Sequence, residues 1–310
     1  MAGTLCANGL YVSSFSTNQV LSYDSVSGVP LPNTINVANP TGLAFGPDGN
    51  LYIAGGGNTV YKYNTATNSL STIGTAANGL ANPDGIAFSG NKLFVADRGN
   101  NDVLEYNGST WSVFASAVVS GGGDLESPTD VAFDSAGNVL VTSAGNNRVL
   151  EYDSSGNFTG NFVSTNNNHG PFQPSALAFG PDGNLYVSSP GPDSNNVPAN
   201  QVLRYTGADM FDGAFVGHNQ NGLNSPAGLL FDSAGNLYVA SRLSNQIIEY
   251  DSTGAFVQVL VSNGPGAPTQ PIFMALDPPF ASQENPEPAT WLTMAGGLAA
   301  AAWWKKRRAR

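Results

Sequence analysis

The chain has 310 residues, with 37 glycines, 20 prolines and only 11% charged residues. That composition suits a turn-dense all-β protein and lacks the charge and aromatic poverty of disordered chains. Residues 1–280 hold 20 acids against 6 bases and residues 281–310 hold 2 acids against 5 bases, and so acidic a body excludes nucleic acid as a partner.

Met1 to Leu10 carry neither a basic start nor an apolar core, so an exported reading places the leader upstream of Met1. Cys6 is the single cysteine, which rules out an intrachain disulfide, and Gly3-Thr4-Leu5 before it does not suit a lipid anchor. Asn8-Gly9-Leu10-Tyr11-Val12 then reads as a strand that begins part-way through a unit.

The complete unit first appears at Asn39-Pro40-Thr41-Gly42-Leu43-Ala44-Phe45, followed by the turn Gly46-Pro47-Asp48-Gly49-Asn50 and a second strand from Leu51 to Ala54. Proline fixes φ, aspartate bonds its own backbone and glycine takes a positive φ, so this is strand, hairpin turn, strand. Copies start at Pro83, Pro128, Pro174, Pro226 and Pro271, giving periods of 43, 45, 46, 52 and 45 residues. Each second strand runs to an asparagine (Asn18, Asn58, Asn101, Asn147, Asn200, Asn245) and then a third strand of the type Val-Leu-Glu-Tyr. A fourth strand follows, for example Trp111-Ser112-Val113-Phe114.

Periods near 45 with four short strands per repeat predict a six-bladed β-propeller. The last copy, Gln270 to Pro278, has no second strand after it, and the missing strands lie at the N-terminal end. One blade is therefore split, which locks the ring closed. Ala44, Ala87, Ala132, Ala178 and Ala275 fall mid-strand in the innermost position, where blades crowd the axis, and Leu230 breaks that pattern once.

The unit Pro-x-Gly-hydrophobic-Ala-Phe, Asp-Gly-Asn-Leu-Tyr-Val-Ala, Asn-x-Val-Leu-x-Tyr resembles the NHL-repeat propellers over residues 8–280. The resemblance implies architecture more than activity, because such propellers host lyases, lactonases and binding modules. The first domain is thus 1–280, and 281–288 is a polar linker carrying Pro286-Glu287-Pro288. Residues 289–310 follow: sixteen uncharged residues from Ala289 to Trp304, ending in Trp303-Trp304, and then Lys305, Lys306, Arg307, Arg308, Ala309 and Arg310. As a short apolar helix the segment would reach roughly 24 Å, a marginal span of a ~30 Å hydrocarbon core, with its basic end cytoplasmic.

A Pro-Glu-Pro motif, an apolar segment and a basic end, in that order, resemble a PEP-CTERM sorting signal. That resemblance implies an exosortase-type processing enzyme as partner and transient anchoring in the inner membrane. The final address would be the bacterial cell envelope or extracellular matrix, with extracellular polysaccharide or an envelope protein as a partner.

The six repeated asparagines read as turn formers, since Asn tolerates the left-handed region and one axial site has no use for six equal groups. Residues that differ between blades on the loop-bearing face are the candidate ligand-binding set: Asp84, Asp97, Arg98, Asp130, Arg148 and Arg242, with Asp124, Glu126 and His169 nearby in the loops. Val187 to Asn200 is 13 positions long against 5 or 6 elsewhere, so Pro190 to Ala199 holds an insertion of about seven residues, suited to recognition. The gluconolactonase-like propellers hold an axial divalent cation with carboxylates and asparagine. Here the residues two past each leading proline are Gly42, Gly85, Asp130, Ala176, Gly228 and Phe273, so only one is acidic. Ca²⁺ ligation is left to Asp84, Asp97 and Asp130, and no cofactor is otherwise expected. His169 and His218 lack the spacing of a base or a metal pair. The first reading is a non-catalytic binding or scaffold module; the alternative is a metal-dependent lactonase, hydrolase or lyase.

Overall fold

A computed structural model of the chain describes residues 9–116, 124–164, 170–191 and 200–277. Six four-stranded antiparallel sheets surround one axis. Blade one opens with β1 (Gly9–Ser14), β2 (Gln19–Asp24) and β3 (Pro30–Asn36). Blade two holds β4 (Leu43–Phe45), β5 (Leu51–Gly55), β6 (Thr59–Asn64) and β7 (Ser69–Gly74). Blade three holds β8 (Pro83–Ser89), β9 (Lys92–Asp97), β10 (Asp102–Tyr106) and β11 (Trp111–Ser116). Blade four holds β12 (Pro128–Phe133), β13 (Val139–Ser143), β14 (Arg148–Tyr152) and β15 (Phe158–Val163). Blade five holds β16 (Leu177–Phe179), β17 (Leu185–Ser189), β18 (Gln201–Tyr205) and β19 (Phe211–Val216). Blade six holds β20 (Pro226–Phe231), β21 (Leu237–Ser241), β22 (Gln246–Tyr250) and β23 (Phe256–Val261). Finally β24 (Pro271–Leu276) returns to pair with β1, Leu10 opposite Leu276 and Val12 opposite Met274, so blade one is the split blade.

The second strand of each blade is buried along its length, as in β5, β13, β17 and β21, save for Lys92 at the start of β9. Both its faces pack on neighbouring blades, which explains why the Leu-Tyr-Val runs are continuous rather than alternating. Edge-to-face ring pairs fill several seams: Tyr11 on Phe45, Tyr52 on Phe88, Phe94 on Phe133 and Tyr186 on Phe231. The hairpin turns form as the sequence requires. The Oδ1 of Asp48, Asp134, Asp182 and Asp232 accepts the backbone N–H of Asn50, Asn138, Asn184 and Asn236, respectively.

The repeated asparagines do more than cap turns. All six sit in the left-handed region, and each side-chain oxygen accepts the N–H of the residue just before the next blade's leading proline. The pairs are Asn18 with Asn39, Asn58 with Asn82, Asn101 with Ser127, Asn147 with Gln173, Asn200 with Ser225 and Asn245 with Gln270, at 2.7–2.9 Å. Every receiving residue is itself at positive φ. Each blade is thus latched to its successor, the last to the first. Asn147→Gly keeps the backbone conformation and deletes the acceptor, so it is expected to cost about 1–3 kcal/mol, whereas Asn147→Asp keeps most of the stability. Thermal melts of the two variants check this, and equal melting temperatures would refute the latch.

The short apolar helix expected over 289–304, the sorting motif and the basic end lie outside the described residues, as do His169 and most of the Pro190 to Ala199 insertion. Among the described residues no helix is long and apolar enough to cross a membrane.

Candidate functional site

Four of the innermost strands, β8, β12, β20 and β24, start with an irregularity in their pairing. Pairing slips between Pro83 and Ile86, between Pro128 and Val131 and between Pro226 and Leu229, so two residues after the leading proline stand outside the ladder. Bulges of this kind re-aim side chains. Asp84 and Asp130 occupy the first and second of these positions, and their surroundings differ completely.

Asp130 is buried, and both its oxygens accept backbone hydrogens: Oδ1 from Val131 (2.9 Å) and Oδ2 from Leu177 of the next blade (2.8 Å). It ties β12 to β16. Asp97, at the end of β9, is fully buried and turned into its own blade, where Oδ2 accepts the Ala81 N–H (2.7 Å) and the Asn100 amide (3.1 Å). Asp84 is half-buried and has neither kind of backbone tether. The surrounding ring desolvates its carboxyl and pushes it up to about 7, against the pull of the Arg98 and Arg242 charges. The three carboxylates therefore do not converge. Among the described residues no group of three or more His, Cys, Asp or Glu side chains is arranged to hold a metal.

What does converge is Asp84 with two guanidinium groups. Arg98 follows β9, its backbone N–H on Asn82 O (3.2 Å) and its side chain exposed. Arg242 follows β21 in blade six, which is the blade opposite blade three in the ring. Its backbone N–H holds Ser225 O (3.1 Å), and its guanidinium carbon lies 5.8 Å from the ring centre of Phe15 in blade one. Its buried Nε has no hydrogen-bond partner. Among the described residues no carboxylate lies within 4 Å of Arg98, Arg148 or Arg242; the ion pairs are Lys62 with Asp48, Lys92 with Glu105, and Arg204 with Asp212. Arg148 opens β14 opposite Ser143, half-buried. His218 is exposed in the loop after β19.

Two residues escaped the sequence reading. Phe15, in a 3-10 turn after β1, supplies the face under Arg242, and nothing in the repeat pattern marks it. Asp102 faces Asp97 across β9 and β10. It could have been found by aligning the residue after each repeated asparagine, which elsewhere is Gln19, Thr59, Arg148, Gln201 and Gln246.

An all-β six-bladed propeller with an axial mouth lined by arginines from opposite blades is the class the geometry defines. No protein-family model and no curated protein matches the chain. Solved structures do. A chain of the nidogen/laminin complex is similar at 14% identity, covering 87% of this chain and 98% of that one, with a TM-score of 0.68. A Bacteroides caccae protein of unknown function is similar at 15% identity, covering 88% and 99%, with a TM-score of 0.65. A catalytically inactive virginiamycin B lyase from Staphylococcus aureus with quinupristin is similar at 15% identity, covering 88% and 94%, with a TM-score of 0.60. At these identities the likeness is one of fold, which occurs in the nidogen/laminin complex and in a lyase alike.

Proposed function

We propose that this propeller is a non-catalytic binding module that takes an anionic group, a carboxylate, sulfate or phosphate, at the mouth of its axis. The observation that carries this is Arg242, seated on Phe15 with an unpartnered buried Nε and acting on Asp84 from the opposite blade. Guanidinium groups held without carboxylate partners are suited to bidentate capture of such anions. Asp84 then acts as a gate. Below about 7 its carboxyl is neutral and leaves both arginines to the ligand; above that it ionises and competes for them.

We further propose, from the resemblance of residues 286–310 to a sorting signal, that the ring works in the bacterial envelope, where acidic polysaccharide offers such groups. The resemblance of the repeat to NHL-type propellers supports a scaffold of this kind. Tags on the ring and after Arg310, in a host with an exosortase, check the address. A ring tag outside the inner membrane with the tail tag lost supports sorting; a ring that stays cytoplasmic with both tags joined refutes it.

The binding reading is tested with an array of acidic and neutral oligosaccharides and small carboxylates, followed by titration of the best binder. Hydrogen bonds to charged groups contribute about 1.5–3 kcal/mol, so Arg242→Gln is expected to weaken binding at least about tenfold. Affinity is expected to fall between pH 6 and pH 8 in the wild type and to stay level in Asp84→Asn. An array without acidic binders, or affinity indifferent to both Arg98→Gln and Arg242→Gln, would overturn the reading.

A further inference from the structure

Asp97 and Asp102 are Cα partners where β9 and β10 meet their connecting loop. Directly opposed residues on an antiparallel pair share a face, with Cβ atoms roughly 4.5–5.5 Å apart. Asp97 is 0% exposed and Asp102 8%. Each has one carboxylate oxygen, Oδ1, that is buried and has no hydrogen-bond partner. An ionised carboxylate only accepts, so a buried oxygen without a protein donor calls for a cation, a proton or a water beside it.

The fold does not ask for this arrangement. The matching pairs in the other blades are Ser14 and Gln19, Gly55 and Thr59, Ser143 and Arg148, Ser189 and Gln201, and Ser241 and Gln246. Four of those blades hold the loop into their innermost strand with a serine hydroxyl, which accepts the N–H of Thr269, Glu126, Phe172 and Asn224 in turn. In blade three the Oδ2 of Asp97 does the same for Ala81. A serine would suffice there, and so the second oxygen of Asp97 and the whole carboxylate of Asp102 are left over. Both are acids, they are adjacent, and the Oδ1 of each is out of solvent.

We propose that Asp97 and Asp102 hold a divalent cation of the hard, oxygen-seeking class, Ca²⁺ in the first instance, between their unpartnered Oδ1 atoms. A dication neutralises the pair and supplies the contact that each oxygen lacks, with water completing its coordination. The site is separate from the axial mouth: Asp84, the acid at the mouth, takes no part in it.

The test uses the full chain, treated with chelator and then titrated with CaCl₂, MgCl₂ or MnCl₂ by calorimetry and by thermal melt. Asp102→Thr copies blade two, Asp97→Ser copies four blades, and Asp102→Asn keeps the side-chain shape. Wild type and Asp84→Asn are expected to bind Ca²⁺ and to melt several degrees higher with it. The three blade-three variants are expected to lose at least about tenfold in affinity while keeping the far-ultraviolet spectrum of the ring. Absence of binding by all three cations to the wild type would overturn the proposal. So would binding that survives in Asp97→Ser and Asp102→Thr, or binding that is lost in Asp84→Asn instead.

Discussion

Deleting residues 1–14 is expected to abolish the cooperative unfolding transition of the ring. β1 lies second in its blade, between β24 and β2, and all six of its residues are buried. Leu10, Tyr11 and Val12 contribute about 1.5–3 kcal/mol each by burial, a large share of the about 5–15 kcal/mol that keeps a domain folded. The deletion also reaches the last blade seam. The Ser13 hydroxyl accepts the Phe273 N–H (2.8 Å) and the Ser14 hydroxyl accepts the Thr269 N–H (2.8 Å), so without them β24 loses both its ladder neighbour and its anchors. An innermost strand left unpaired exposes an edge that ring closure otherwise removes. Circular dichroism melts and size-exclusion profiles of the truncated and full chains read this directly. A truncated chain that melts within about two degrees of the full one would show that the ring does not depend on the split blade.

The architecture is legible because its signals are local and repeated. Asp48-Gly49-Asn50 specifies a hairpin whatever surrounds it, and the spacing of the leading prolines counts the blades. The latches were half legible. Asn147 reads as a left-handed turn residue from its neighbours, but its acceptor serves Gln173, 26 positions away in another blade, and no periodicity within a blade announces that. The site was less legible still. Asp84 and Asp130 look interchangeable as acids just past a proline, yet a bulge sends one toward Arg98 and Arg242 and the other into the backbone of β16. Which way a bulged residue points depends on the neighbouring blade, and Asp97 likewise turned inward to Ala81.

Gly85→Val is expected to destabilise the ring more than removal of a single latch. Gly85 lies in the β8 bulge against the first strand of blade four. A Cβ built there would sit 2.7 Å from the Asp130 Cα and 2.7 Å from the Thr129 carbonyl, and would strike Asp130 Oδ1. Backbone atoms cannot rotate aside, so β8 and β12 must separate. Overpacking typically costs about 1–3 kcal/mol, and the shift also strains the Asp130 bonds to Val131 and Leu177, each worth about 1–3 kcal/mol if a buried N–H is left bare. The melting temperature should fall by roughly 10 °C, at 2–4 °C per kcal/mol for a domain of this size. The same closeness recurs at Gly228, where a Cβ would lie 2.9 Å from the Phe273 Cα. Other copies of the repeat carry Ala176 or Phe273 at the same place. Gly160→Ala is the control, because nothing lies within 4 Å of a Cβ there. If Gly85→Val melts with Gly160→Ala, the blades do not meet as closely at the axis as this geometry requires.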